Sequence, residues 1–210
     1  MTHSGCHPSA TDLADGDEPA WDVAKLFPPQ GGWAEDDFLC LPGNHLAEFD
    51  HGRIEVLRMP SELHQLLVAF LYRALADHVA ASALGVVLFA PFPIKLWEGK
   101  LREPDIVFMR REHADRRQGK FWWGADLVME VISPDDRGRD RITKRREYAL
   151  AGIPEYWLID TEARTVIVLV RAEQAHGYLQ HGEFRVGQTA NSATLPGFAI
   201  DVQALFACSQ

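Results

Sequence analysis

Cysteine is scarce. Cys6, Cys40 and Cys208 are odd in number and far apart, so neither a disulfide framework nor a cysteine-based zinc site follows from them. No apolar run approaches the roughly 20 residues needed to cross a bilayer. The N-terminus lacks a basic stretch followed by an apolar core, so no secretory signal is expected. There is no internal repeat and no low-complexity tract. Together these absences point to a cytoplasmic protein without a membrane partner.

What remains is the composition of a globular chain. Of 210 residues, 47% are apolar and 24% charged, enough to bury a sizeable core in one domain. Residues 1–32 are rich in Asp, Pro, Gly and Ala and show no sustained periodicity. They are expected to form a flexible acidic arm ahead of a domain spanning 33–206. The net charge of −9 argues at first against a nucleic-acid partner, but the charge is uneven. Residues 100–146 hold 13 Lys and Arg against nine Asp and Glu, a surplus of four, which leaves −13 on the remainder. A basic segment of this kind suits a phosphate-binding face. By itself it suits a solvated helix better.

Periodicity predicts mixed helices and strands. A short helix is expected over 33–41, ended by Pro42 and Gly43. Residues 46–49 and 53–57 read as a strand pair around an Asp50-His51-Gly52 turn. Ser61 should cap a long helix, with Glu62 in its first turn and Leu63, Leu66, Leu67, Phe70, Leu71, Ala74 and Leu75 at helical spacing. It should end near 83–85 and pack on a sheet. Strands are expected at 86–89, 94–97 and 106–109, with a turn at Glu98-Gly99-Lys100. Residues 110–120 read as loop or short helix. The near-continuous apolar run 127–132 reads as a central strand covered on both faces. A helix should run from about 135 to 151, stopped by Gly152 and Pro154. Strands at 156–159 and 165–170, a hairpin around His181-Gly182, and a short amphipathic helix near the C-terminus complete the expectation. The class is α/β or α+β, a sheet flanked by helices.

The chemistry lies in acids that interrupt apolar strands. Burying a carboxylate is costly unless something pairs with it. Asp105 stands at the entrance of one strand and Glu130 inside another, 25 positions on. If those strands pair, the two acids converge. An incomplete set of hard oxygen ligands suits Mg²⁺, with Mn²⁺ as a substitute, and the carbonyl of Val131 is a further candidate ligand. A metal held so activates water and stabilises a phosphodiester under attack. Asp140, Lys144 and Tyr148, spaced i, i+4, i+8, share a helix face. Lys144 is placed to orient water or to stabilise transition-state charge. The plainer alternatives are an Asp140–Lys144 surface ion pair, worth little, and acids merely paired with Arg102 and Arg110.

These residues carry a resemblance. Pro-Asp at 104–105, Glu-Val-Ile-Ser-Pro at 130–134, Asp140, Lys144, Tyr148 and Gly-Ile-Pro-Glu-Tyr-Trp at 152–157 resemble the Uma family of restriction endonucleases, in the PD-(D/E)xK nuclease superfamily. Upstream, Glu48-Phe49-Asp50-His51-Gly52 and Met59-Pro60-Ser61 with His64 fit the same pattern. Downstream, Leu195-Pro196-Gly197-Phe198 and Leu205-Phe206 do as well. The resemblance covers about 33–206.

It implies a restriction endonuclease-like mixed β-sheet flanked by helices, with Asp105 and Glu130 as metal ligands. One departure stands out. The superfamily lysine belongs two positions after the acid, where this chain has Ile132, so the resemblance assigns that role to Lys144. Glu48 becomes a further acid facing the site, and His64 approaches it from the long helix. The implied function is a Mg²⁺-dependent DNA endonuclease, with Arg137, Arg139, Arg141, Arg145 and Arg146 as phosphate contacts. The competing reading is a catalytically silent binding or assembly module of the same fold. Exposed strand edges and the Trp122-Trp123 pair are then expected to support a homodimer.

Overall fold

The computed structural model describes residues 28–41, 46–132, 139–172 and 177–208, with backbone only at 139–141. In chain order these form α1 (Glu35–Leu39), β1 (Ala47–Asp50), β2 (Arg53–Val56), α2 (Glu62–Ala81), β3 (Gly85–Phe89), β4 (Ile94–Trp97), β5 (Lys100–Arg102) and β6 (Ile106–Arg110). A 3₁₀ turn (Arg111–Arg116), β7 (Arg117–Gln118), β8 (Phe121–Trp123) and β9 (Leu127–Ile132) follow. A π-helical turn (Arg139–Lys144) runs into α3 (Arg145–Leu150). The chain closes with β10 (Glu155–Asp160), β11 (Thr165–Arg171), β12 (Tyr178–Arg185), β13 (Thr189–Asn191), β14 (Ala199–Asp201) and α4 (Val202–Ala207).

Two six-stranded sheets carry the fold. One has the order β2-β1-β5-β4-β8-β7 and the other β12-β11-β10-β9-β6-β3, with β13-β14 as a small ribbon. In the second sheet β9 is the pivot: it pairs antiparallel with β6 and parallel with β10, which makes the sheet mixed. All six residues of β9 are buried. Successive side chains of a strand point to opposite faces. Leu127, Met129 and Val131 therefore join the core under α2, and Val128 and Ile132 join the core on the other face. Glu130 shares the second face.

Helix α2 forms where its cap and stripe predict. The Ser61 hydroxyl accepts from the His64 N–H at 3.2 Å, as a helix-capping serine does. Leu67, Leu71 and Leu75, each a turn apart, are fully buried against the sheet. That packing fixes the first turn of α2, and so His64, beside the entrance of β6. The β1–β2 turn is as expected: Gly52 takes a positive φ of 80°, and its carbonyl receives the Gly31 and Trp33 N–H groups. Gln30, assigned by sequence to the arm, makes two 2.9 Å hydrogen bonds to the Ile54 backbone. Residues 1–27 lie outside the described residues.

Three expectations change. Lys100 is not part of a turn but opens β5, which is too short and too charged to show a period-2 pattern. The expected hairpin is one strand: β12 (Tyr178–Arg185) follows β11 throughout, and His181 is an extra residue at a bulge between the Val168 and Leu169 pairings. The described part of the helix before Gly152 is π-helical through Lys144 and α-helical only from Arg145. The expected helix start at 135–136 lies outside the described residues.

Candidate active site

The site gathers where β6 and β9 meet, under α3 and beside the start of α2. The β6–β9 ladder pairs Val107 with Val128 and Ile106 with Met129. One further step in that register sets Asp105 opposite Glu130, so the two acids belong to the same face. The Asp105 Oδ2 accepts from the Val131 N–H at 2.7 Å and lies 3.1 Å from His64 Nε2. Glu130 Oε1 receives the Lys144 ammonium at 2.8 Å and the Tyr148 hydroxyl at 2.7 Å. Burial, with the Glu130 charge next in effect, pushes the Tyr148 phenol well above its ordinary range, so this hydroxyl stays protonated and donates.

Lys144 is the hub. Its side chain is 7% exposed, which removes the surface-pair reading, and its Nζ lies 3.7 Å from Glu48 Oε1 as well as beside Glu130. The π-helical turn ends at Lys144, and four residues later α3 delivers Tyr148 to the same carboxylate. The position two beyond Glu130 is filled by Ile132, 1% exposed and packed in the core. The lysine that meets Glu130 comes instead from a neighbouring element.

Glu48, from β1 of the other sheet, reaches the same cluster. It accepts from Arg102 Nη1 at 2.5 Å and from the Glu103 N–H at 3.2 Å. Arg102 therefore does not neutralise Asp105 or Glu130. Its Nε and Nη2 instead grip Glu147 of α3 at 2.7 and 2.9 Å. Arg110 is likewise engaged elsewhere, through its Nη2 with the Thr194 carbonyl. The arginine-pairing alternative is thereby overturned by where β5 and β6 point these side chains.

One acid escaped the sequence reading. Glu103 is 6% exposed, and its Oε2 has no hydrogen-bond partner. Burial pushes its carboxyl up to about 8, and the neighbouring Glu48 and Asp105 charges add to this. A backbone hydrogen bond from Ala47 and the Lys144 charge oppose it. The signal available was its place two residues before Asp105. It was masked because β5, which precedes it, does not read as a strand in sequence: Lys100 falls in the expected turn and Leu101 and Arg102 in no expected element.

Of the five arginines expected to meet phosphate, Arg146 is exposed and Arg145 is half-buried, with Arg145 Nη2 donating to the Tyr178 carbonyl at 3.0 Å. Arg137 and the side chains of Arg139 and Arg141 lie outside the described residues. Trp122 is buried edge-on to Phe92, whereas Trp123 stays 37% exposed with Lys95 Nζ 4.6 Å above its ring. Among the described residues, no three His, Cys, Asp or Glu side chains already converge as a metal cage. No described helix is long and apolar enough to cross a membrane.

A mixed sheet with acids at the facing positions of two adjoining strands, and a lysine brought to them by the next helix, defines a restriction endonuclease-like fold. The model of a family described as "Putative restriction endonuclease" (Uma2) matches residues 35–203, and the chain belongs to that nuclease family. A crystal structure described as "a putative nuclease belonging to DUF820", from Anabaena variabilis ATCC 29413, is similar with a TM-score of 0.68. The match has 17% identity and covers 87% of this chain and 100% of that one. At that identity it speaks for the fold. No curated protein matches.

Proposed function

We propose that the protein is a metal-dependent DNA endonuclease that hydrolyses phosphodiester bonds. The observation that carries this reading is the meeting of Lys144 with Glu130 at 2.8 Å, beside Asp105 on the adjoining strand. It restores the acid–acid–lysine combination that Ile132 breaks in sequence. Asp105 and Glu130 are the groups to hold Mg²⁺, or Mn²⁺ in its place, with the Val131 carbonyl as a further oxygen. The donor set is hard and incomplete, and it lies beside a buried carboxyl oxygen of Glu103 that lacks a partner. That chemistry fits a cation which keeps waters and takes ligands from substrate. When bound, the metal would lower the pKa of a water and offset charge on the phosphate.

The chain's own groups have distinct tasks. Lys144, held by Glu130 and Glu48, presents a fixed positive charge to the phosphate oxygens in the transition state. His64 and the Val131 N–H fix the orientation of Asp105. Tyr148 fixes Glu130. Arg146, with Arg137, Arg139, Arg141 and Arg145, supplies phosphate contacts, so DNA affinity should fall steeply with salt. The reading extends to a cytoplasmic homodimer; β3 and β7 stand at sheet edges and Trp123 is half-exposed, which supports the homodimer. Light scattering should return twice the 23.6 kDa chain mass.

The test is Mn²⁺ calorimetry combined with a plasmid-nicking assay. The intact protein should bind Mn²⁺ and nick DNA. Asp105→Asn and Glu130→Gln should each lose metal affinity and, with the charge stabilisation the metal would supply, at least about 100-fold in cleavage rate. A second reading, the catalytically silent module, draws support from one feature: each carboxylate already has internal donors, His64 and the Val131 N–H at Asp105, Lys144 and Tyr148 at Glu130. DNA binding with neither metal binding nor nicking would favour that module.

A further inference from the structure

The helix that carries Lys144 cannot hold itself in place. Its described part is a six-residue π-helical turn ending at Lys144 followed by the six residues of α3, and isolated helices no longer than roughly 12–15 residues are marginal in water. Its position must come from docking. Lys144, Glu147 and Tyr148 are spaced i, i+3, i+4 and so share one face. Lys144 and Tyr148 bind Glu130 on the second sheet. Glu147 binds the first sheet: Arg102 grips it through two nitrogens, and Lys100 Nζ lies 2.8 Å from its Oε1. Arg102 also holds Glu48, the second carboxylate beside Lys144. Both sheets are therefore tied to one helical turn through charged groups that are nearly all buried.

We infer that Glu147 is a positioning residue: its clasp by Arg102 and Lys100 sets where the Lys144 ammonium stands relative to Glu130 and Glu48. This rests on the reading of Lys144 as a working group of the site, and it adds three residues, Lys100, Arg102 and Glu147, to the apparatus. A planar guanidinium meeting a carboxylate through two bonds fixes direction as well as distance. A buried pair of this kind contributes geometric specificity more dependably than net stability.

The test uses the full chain with Glu147→Gln and Glu147→Asp, the latter keeping the charge on a shorter arm. With nicking as the readout, Glu147→Gln should lower kcat about 10- to 100-fold, as loss of outer partners does in metal sites, with KM changed less than about twofold. Glu147→Asp should fall between the two. The discriminating readout is a double-mutant cycle. In a Lys144→Met background the further loss from Glu147→Gln should vanish, because there is no ammonium left to misplace. A merely structural role would instead give additive losses.

A second readout needs no activity. Reductive methylation of the Lys144 amine, followed by mass spectrometry on folded protein, should be faster in Glu147→Gln than in the intact protein, with Glu147→Asp intermediate. Unchanged labelling in both variants overturns the inference even if nicking is robust. Accelerated labelling in a protein that never nicks DNA supports the positioning role while overturning the nuclease reading.

Discussion

Lys144→Met is expected to damage both folding and activity, and the two losses should separate under one further substitution. The variant leaves Glu130 buried, 4% exposed, with its ammonium partner gone, and removes a positive charge beside Glu48 and Glu103. Breaking a buried pair from one side typically costs about 3–5 kcal/mol, because an uncompensated charge remains. Chemical denaturation at pH 7 should show a loss of that order. Adding Glu130→Gln removes the stranded charge, and the amide can still accept from Tyr148. The double variant should recover most of the stability without nicking faster than the low residual rate of Lys144→Met. If the single variant is as stable as the intact protein, the ammonium is not neutralising these acids, and the arrangement derived above is wrong.

The second large effect concerns pH. Glu103 has its carboxyl pushed up to about 8 from an ordinary 4.5, chiefly by burial, then by Glu48 and Asp105. The folded chain therefore holds a proton there that the unfolded chain releases above about pH 4.5. Stability rises with pH only where the unfolded state binds more protons. Here the folded state does, so this group's contribution is full below about pH 4.5 and is lost as pH climbs through about 8. Each unit of difference corresponds to about 1.4 kcal/mol, so the loss amounts to a few kcal/mol.

Glu103→Gln should flatten this slope: by thermal denaturation it should gain on the intact protein from pH 5 up to about pH 8 and level off above it. The opposite trend is expected from Glu147 and Asp50. Burial raises both, but the hydrogen bonds from Arg102 and Lys100 to Glu147, and from Lys100 and His51 to Asp50, outweigh it and hold them below their ordinary range. Their contribution is lost in acid, below about pH 4.5, outside the window in which Glu103 acts. A variant-minus-parent difference that is constant from pH 5 to 9 would mean that Glu103 is charged in the folded state at neutral pH.

The parts of the site that were legible in sequence are those carried by long or strongly patterned elements. The Ser61 cap and the leucine stripe specify α2 and hence the approach of His64. The apolar run 127–132 specifies a central strand with an acid at position 130. Those signals are local, because helix and strand periods are properties of a short stretch of chain. The spacing i, i+4 also carried Tyr148 and Lys144 to a common face, even though the helix there begins as a π turn.

What escaped has a common cause. β5 has three residues, two of them charged, and reads as a loop. Yet Lys100 and Arg102 are almost fully buried, because α3 and β1 bring carboxylates over them. Glu103 looks like one more surface acid until β1 and Asp105 close around it. The single strand β12 was read as a hairpin because His181 and Gly182 mimic a turn, whereas pairing with β11 carries the chain straight through a bulge. By itself the sequence marked Asp105 and Glu130 as candidate acids, since an acid within or at the mouth of an apolar strand is costly and marks its own position. Only the tertiary structure decided which charge answers which. Ion pairing at the site depends on distances between residues from 14 positions apart (Lys144 and Glu130) to 96 apart (Lys144 and Glu48), and no local pattern encodes them.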